Sequence, residues 1–180
     1  MKKIKVQQQV ISLIAEGEPK WLPETIETSE AAAECFAHLG KLSHEECWIV
    51  GVNGHTQPIG CVLVSRGGSG ATGLVPADIF KPLISMNARA FIMAHNHPSG
   101  DATPGNDDRE TTFRIFEAGQ LLGIPLLDHI VVSATGWCSM RQLEAAENDG
   151  PTIVEIPLEG DAGEALRALL NRMLGERDDA

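Results

Sequence analysis

Basic residues are scarce in this chain. It has 14 Lys plus Arg against 25 Asp plus Glu, a net charge of −11. A polyanion is repelled at long range by such a surface, which counts against non-specific nucleic-acid binding. Trp21, Trp48 and Trp137 are not interleaved with basic residues, so no stacking platform for single strands is expected. No stretch approaches the ~18 apolar residues that a membrane-spanning helix needs. Met1 to Lys5 has the charge of a leader, but Gln7, Gln8 and Gln9 follow, and the apolar run Val10 to Ala15 is too short for a signal segment. The expectation is a soluble, cytoplasmic protein with no membrane partner. The four cysteines, Cys35, Cys47, Cys61 and Cys138, contain no CxxC pair. They are expected to be reduced and mostly buried. The glycine cluster RGGSGATG (66–73) lacks the GxxxxGK[ST] pattern of a phosphate loop and is taken as a flexible connection. There is no internal repeat.

What is present fits one domain. The chain has 180 residues, 43% hydrophobic and 22% charged, enough for a packed core. Thr28-Ser29 has the form of a helix N-cap ahead of EAAAECFAHL, with Gly40 as its C-terminal stop. Residues 45–52 and 59–64 form two strands around Asn53-Gly54, a hairpin signal. Residues 76–87 predict a helix that Pro82 should kink or break. Residues 89–94 are apolar without alternation, as in a strand buried on both faces. Thr103-Pro104 fits the start of a helix with Phe113, Ile115, Phe116, Leu121 and Leu122 on its apolar face and Gly123 at its end. Leu126 to Val132 predicts a strand, with residues 137–140 pairing back. KIKVQQQV near the N-terminus could form a strand. Beyond about residue 145, ENDGP is linker-like and TIVEIPL suits an edge strand. Leu166, Leu169, Leu170, Met173 and Leu174 stripe a last helix, which packs on the domain or on another copy of the chain as a homodimer. The whole predicts an α/β (α+β) fold, a single domain with one mixed sheet flanked by helices.

The stretch AHNHPSGDATPGNDD (94–108) carries the chemistry. Residues i and i+2 of a strand point the same way, so His95 and His97 present two imidazoles to one site. Pro98 ends the strand. A catalytic zinc takes three protein ligands and leaves one position open. Asp101, Asp107 and Asp108 are all candidates for the third ligand, and spacing leaves the three open. His129 is read as a hydrogen-bonded core histidine and Asp128 as ordering a strand entrance. His38, His44 and His55 are read as surface residues.

HNHPSGD, TP, Asp108, EAGQLLGIPLLDHIVVS and EECWIV together resemble the JAMM motif of MPN (JAB) domains in its RadC-like form. The similarity runs over roughly residues 40–144. The motif is HxHP, six residues, Ser, two residues, Asp. Here Gly105 stands at the Ser position and Asp108 at the Asp. The resemblance implies a cytidine-deaminase-like MPN fold over 40–145, with a strand/helix extension at 1–39 and a linker, edge strand and amphipathic helix at 146–180. It implies a zinc ion held by His95, His97 and Asp108, with Ser99 and Asp101 as supporting residues behind the ligands. It implies a glutamate that activates water; Glu45 and Glu46 are on offer, and the family pattern selects Glu45. The reaction implied is hydrolysis of an amide or isopeptide bond in a peptide or protein conjugate. The missing serine removes an oxyanion donor, a loss worth roughly 10²–10³ in turnover in other hydrolases; Ser99, Thr103 or a backbone N–H could replace it. Residues 1–40 do not show the helix-hairpin-helix module that often precedes this domain in RadC proteins. Two other functions follow from the resemblance: a DNA-repair protein acting as a metal-dependent nuclease, touching DNA through Arg66, Lys81 and Arg89, and a non-catalytic MPN scaffold.

Overall fold

The computed structural model describes residues 22–67 and 74–147. The expected first strand, the end of the glycine loop, the late edge strand and the C-terminal helix with its dimer role all lie outside the described residues. In order, the elements are α1 (Ser29–Phe36), a 3-10 turn (Ala37–Lys41), β1 (Glu46–Val52), β2 (Pro58–Arg66), α2 (Pro76–Ser85), β3 (Ala90–Asn96), α3 (Asn106–Leu122), β4 (Leu126–Val132), β5 (Trp137–Ser139) and α4 (Met140–Glu147). None of these helices is long and apolar enough to cross a membrane.

The five strands form one mixed sheet in the order β2-β1-β3-β4-β5. Only β3 and β4 run parallel, joined by the crossover through α3; the other neighbours are antiparallel. β3 is central and buried throughout, which is why its sequence shows no polar alternation. Its side chains still alternate in direction. Ala90, Ile92 and Ala94 join the cluster built on Ile26, Ala32, Phe36 and Leu39. Phe91 and Met93 join the opposite cluster with Ile79, Phe80, Leu83 and Ile115. The sheet is therefore sandwiched, with α1 on one face and α2 and α3 on the other. Because α1 contributes to the first cluster, the boundary expected at residue 40 is not a packing boundary.

A register shift between Phe91 and Ile92 makes Phe91 face Leu126 and Ile92 face Asp128. The extra residue, Leu127, flips the phase of β4, since strand side chains repeat every second residue. Asp128 then lies on the α1 face, where it accepts hydrogen bonds from Ser29 Oγ (2.7 Å) and Ser139 Oγ (2.9 Å). His129 lies on the α3 face.

Three local expectations are corrected. The helix after the acidic loop starts at Asn106, with Gly105 as N-cap, rather than at Pro104. Its inner face is Asp108, Thr111, Thr112, Ile115 and Gly119; Phe113 and Leu121 are 58% and 88% exposed. A side chain on Gly119 would press on the Ile124 carbonyl, and Asp108 must face the strand end, so these two positions set the helix rotation against its most apolar side. α2 runs through Pro82 without a break; residue 78, whose carbonyl loses its helical donor, is exposed to water. The β1–β2 hairpin forms as expected, with residues 53–57 between the strands and Asn53 N–H donating to the Gln57 carbonyl at 3.0 Å.

Gly40 does not end α1 as a left-handed cap. Thr28 caps the helix start, accepting from Ala31 N–H at 3.1 Å, and the chain tightens into a 3-10 turn that contains Gly40. The glycine is needed for proximity, since a Cβ there would collide with the Ser133 carbonyl. We expect Gly40→Ala to lower unfolding stability by about 1–3 kcal/mol, read as a drop in the urea midpoint with unchanged slope.

Candidate metal centre

The loop that follows β3 is pinned back on the sheet. His97 N–H donates to the Val132 carbonyl at 2.8 Å, and Thr135 Oγ1 donates to the Gly100 carbonyl at 2.6 Å. This carries the β3 direction one residue past its last strand position and keeps His97 on the same side as His95. Asp108 enters from the first turn of α3. Its carboxylate accepts the Gly105 N–H at 2.8 Å, so capping the helix and facing the strand end are one conformation. Ligand-type atoms of His95, His97 and Asp108 all lie within 4.8 Å of one another.

The spacing is that of a metal site. His95 Nε2 and His97 Nε2 are 3.0 Å apart. Asp108 Oδ1 is 3.2 Å from the first and Oδ2 is 3.4 Å from the second. Two ligands at 2.0–2.1 Å from a tetrahedral zinc would be about 3.3 Å apart. The residues present therefore fit such an ion in both chemistry and separation. Burial opposes ionisation of Asp108, but the close contacts with the His95 and His97 rings outweigh it and hold the carboxyl far below the usual carboxylate range. The same contact with Asp108 raises the pKa of His97.

Each imidazole is also held from behind. His97 Nδ1 is 2.9 Å from the Asp101 carbonyl, and His95 Nδ1 is 2.7 Å from His129 Nε2. His129 Nδ1 in turn lies 2.6 Å from Thr112 Oγ1. Burial, with His95 beside it, pushes the pKa of His129 well down. His129 is thus a hydrogen-bonded core histidine, as read from sequence, and also touches a candidate ligand. Thr112 had no sequence signal beyond its place one turn after Asp108. The carboxylate of Asp101 turns the loop instead, accepting Thr103 N–H at 2.8 Å. Ser99 reaches only the Asp101 N–H, at 3.4 Å. Asp107 is exposed.

The two glutamates part company at the entrance of β1. Glu46 is 5% exposed and fully engaged. Trp48 Nε1 and Arg66 Nε each donate to it at 2.8 Å, and His44 Nε2 lies at 3.0 Å. It is not a solvated strand-entry acid, and His44 and Arg66 are committed to it. Glu45 Oε2 is buried without a hydrogen-bond partner. β1 pairs with β3 with Cys47 opposite His95, so two residues back along that register Glu45 stands opposite His97. Its charge contributes to the raised pKa of His97. Cys47 is itself no rival nucleophile: burial and the nearby Asp108 push its thiol up to about 12.

Gly105 has φ −77°, open to any L-residue. A Cβ there would meet Asp108 Oδ2 at 3.5 Å, an ordinary contact. A serine would fit without rearrangement. Ser99 and Thr103 are exposed, and the Gly105 N–H is already bound by Asp108.

A mixed sheet with two histidines at the end of its central strand, and an aspartate from the following helix, defines an α/β domain with a His-His-Asp group able to hold a metal ion. Residues 26–145 match the model of the RadC-like JAB domain. The chain belongs to that family. It is 42% identical over 113 residues to the UPF0758 protein STH371 of Symbiobacterium thermophilum, covering 63% of this chain and 47% of that one. It is 34% identical over 121 residues to a UPF0758 protein of Thermotoga maritima, covering 67% and 54%. The matched region spans about half the length of these curated relatives.

The Glu46 network generates a pH prediction. Burial disfavours the charged form, but the bonds from Trp48, His44 and Arg66 prevail and hold its pKa below the usual value. A depressed folded-state pKa stabilises the fold above the unfolded value of about 4.3, and that stability is lost as pH falls through the folded-state value. Glu46→Gln should cost about 1–3 kcal/mol at neutral pH, and its unfolding curve should converge on that of the wild type in acid, measured by denaturant titration across pH.

Proposed function

We propose that this domain is a zinc-dependent hydrolase of amide or isopeptide bonds, acting on a peptide or protein conjugate. The observation that carries the reading is the buried, unpartnered oxygen of Glu45 beside the His95–His97–Asp108 group. Leaving a carboxylate oxygen buried and unsatisfied is costly in a fold, and a catalytic base is a recurrent reason for it. Zinc, when bound, supplies Lewis acidity that polarises a carbonyl and brings the pKa of water down to about 7. His95, His97 and Asp108 would hold it and leave one position open. Glu45 would take a proton from the attacking water as its oxygen bonds to the carbonyl carbon. The same carboxyl would then give that proton to the amine nitrogen as the C–N bond breaks. The buried Cys47 thiol, protonated at neutral pH, leaves water as the nucleophile.

Two observations weigh against the alternatives. Arg66, one of the three cations named above as DNA contacts, is bound to Glu46, and the chain is strongly acidic. A scaffold has no use for a complete ligand set with an unsatisfied acid beside it.

Purified protein should contain about one zinc per chain by metal analysis, and His95→Ala should remove it. Glu45→Gln should keep the metal and lose hydrolysis of a peptide-conjugate library by at least ~10²-fold. A metal-free wild type, or equal turnover by Glu45→Gln, would overturn the proposal. Gly105→Ser should fold normally, gaining a few tenths of a kcal/mol as a better N-cap. Its turnover should rise if the oxyanion donor is limiting. Unchanged turnover in this variant would show that another donor already serves.

A further inference from the structure

We infer that His129 and Thr112 set the tautomer of His95 and so present its Nε2 lone pair to the metal position. The inference rests on the reading of the site as metal-binding and extends it to two residues that touch no metal themselves.

The argument is a proton count along one buried chain. The Thr112 hydroxyl has a single proton, and it donates this to the Asp108 carbonyl at 2.6 Å. Towards His129 Nδ1, also at 2.6 Å, the same oxygen can then only accept. His129 therefore carries its proton on Nδ1. It is 1% exposed, and its two side-chain hydrogen-bond partners are His95 and Thr112, neither a carboxylate. A neutral imidazole carries one proton, so Nε2 is bare. At 2.7 Å from His95 Nδ1, that bare nitrogen must accept. The proton of His95 is thereby placed on Nδ1, and its Nε2 is left free to face His97 Nε2 and Asp108 Oδ1. His97 reaches the same state by a shorter route, since the Asp101 carbonyl can only accept from its Nδ1. Both imidazoles thus turn unprotonated Nε2 atoms toward one point. Thr112 also ties this chain to the backbone of Asp108, so two of the three ligands share one bracket. His129 and Thr112 are positioning residues. The phase that brings His129 to this face is set by the bulge at Leu127.

Two measurements test this. In metal-free wild-type protein at mildly alkaline pH, long-range proton–nitrogen correlation spectra should show His129 and His95 protonated on Nδ1 and bare on Nε2. A proton on His129 Nε2 would sink the idea, whether or not zinc binds. By chelator competition, Thr112→Val should weaken zinc affinity by about 10–100-fold, while Thr112→Ser, which keeps the hydroxyl, should stay within about threefold of wild type. The metal-free variants should share the wild-type circular dichroism spectrum. Wild-type affinity in a folded Thr112→Val would equally overturn the inference. If Thr112→Val does not fold, the nitrogen spectra of wild type and the affinity of Thr112→Ser decide. A wild type that binds no zinc but shows the stated protonation would reject the hydrolase reading and leave the tautomer assignment standing.

Discussion

Two imidazole nitrogens held 3.0 Å apart, each with its other nitrogen already committed, repel one another unless a cation lies between them. A carboxylate 3.2 and 3.4 Å away strengthens the demand. The Asp108 carboxylate beside it pushes His97 toward the charged form. A metal ion meets the demand fully. The surrounding structure holds these three groups together against that repulsion. The strand end is extended by the bond from His97 to Val132, the loop is latched to the β4–β5 turn by Thr135, and Asp108 is locked by capping its own helix.

The sheet also separates two chemically identical acids. Asn96 sits between the two histidines and points to the other face. Its Oδ1 accepts Glu46 N–H at 2.8 Å and its Nδ2 donates to the His44 carbonyl at 3.0 Å. That clamp fixes the backbone on both sides of Glu45. Glu46 then satisfies itself among Trp48, Arg66 and His44, and Glu45, opposite His97 along the strand register, is left with one buried oxygen unpaired. One carboxylate holds the strand entrance together while its neighbour is kept available. Family membership and a metal-capable site stand on the geometry and the matched residues; zinc and hydrolysis are the reading that gives the unpaired oxygen a use.

Much of this was legible along the chain because the signals are local. Period-two direction put His95 and His97 on one side. The Thr28 cap, the β4 limits and Gly123 at the end of α3 followed from capping and propensity. Readings failed where a distant group sets the choice. The face of α3 is decided by contacts with Ile124 and the histidines, so counting apolar residues finds Ile115 but also puts the exposed Phe113 and Leu121 on the inner side. Gly40 was read as a helix stop because its real constraint, Ser133, lies far along the sequence.

Residue order alone shows that a buried strand ends in two same-facing histidines, that acids follow within one helical turn, and that the chain builds a mixed α/β sheet. These depend on spacing and on side-chain chemistry, which no packing can change. Spacing left Asp101, Asp107 and Asp108 open, and the family resemblance pointed to Asp108 and Glu45; the folded chain brings Asp108 to the imidazoles, leaves an oxygen of Glu45 rather than Glu46 unsatisfied and puts His129 behind His95. Each of those outcomes turns on a helix rotation, a clamp from another strand or a one-residue bulge. Such features are fixed by contacts between residues far apart in the chain, which strand and helix periodicity alone do not record.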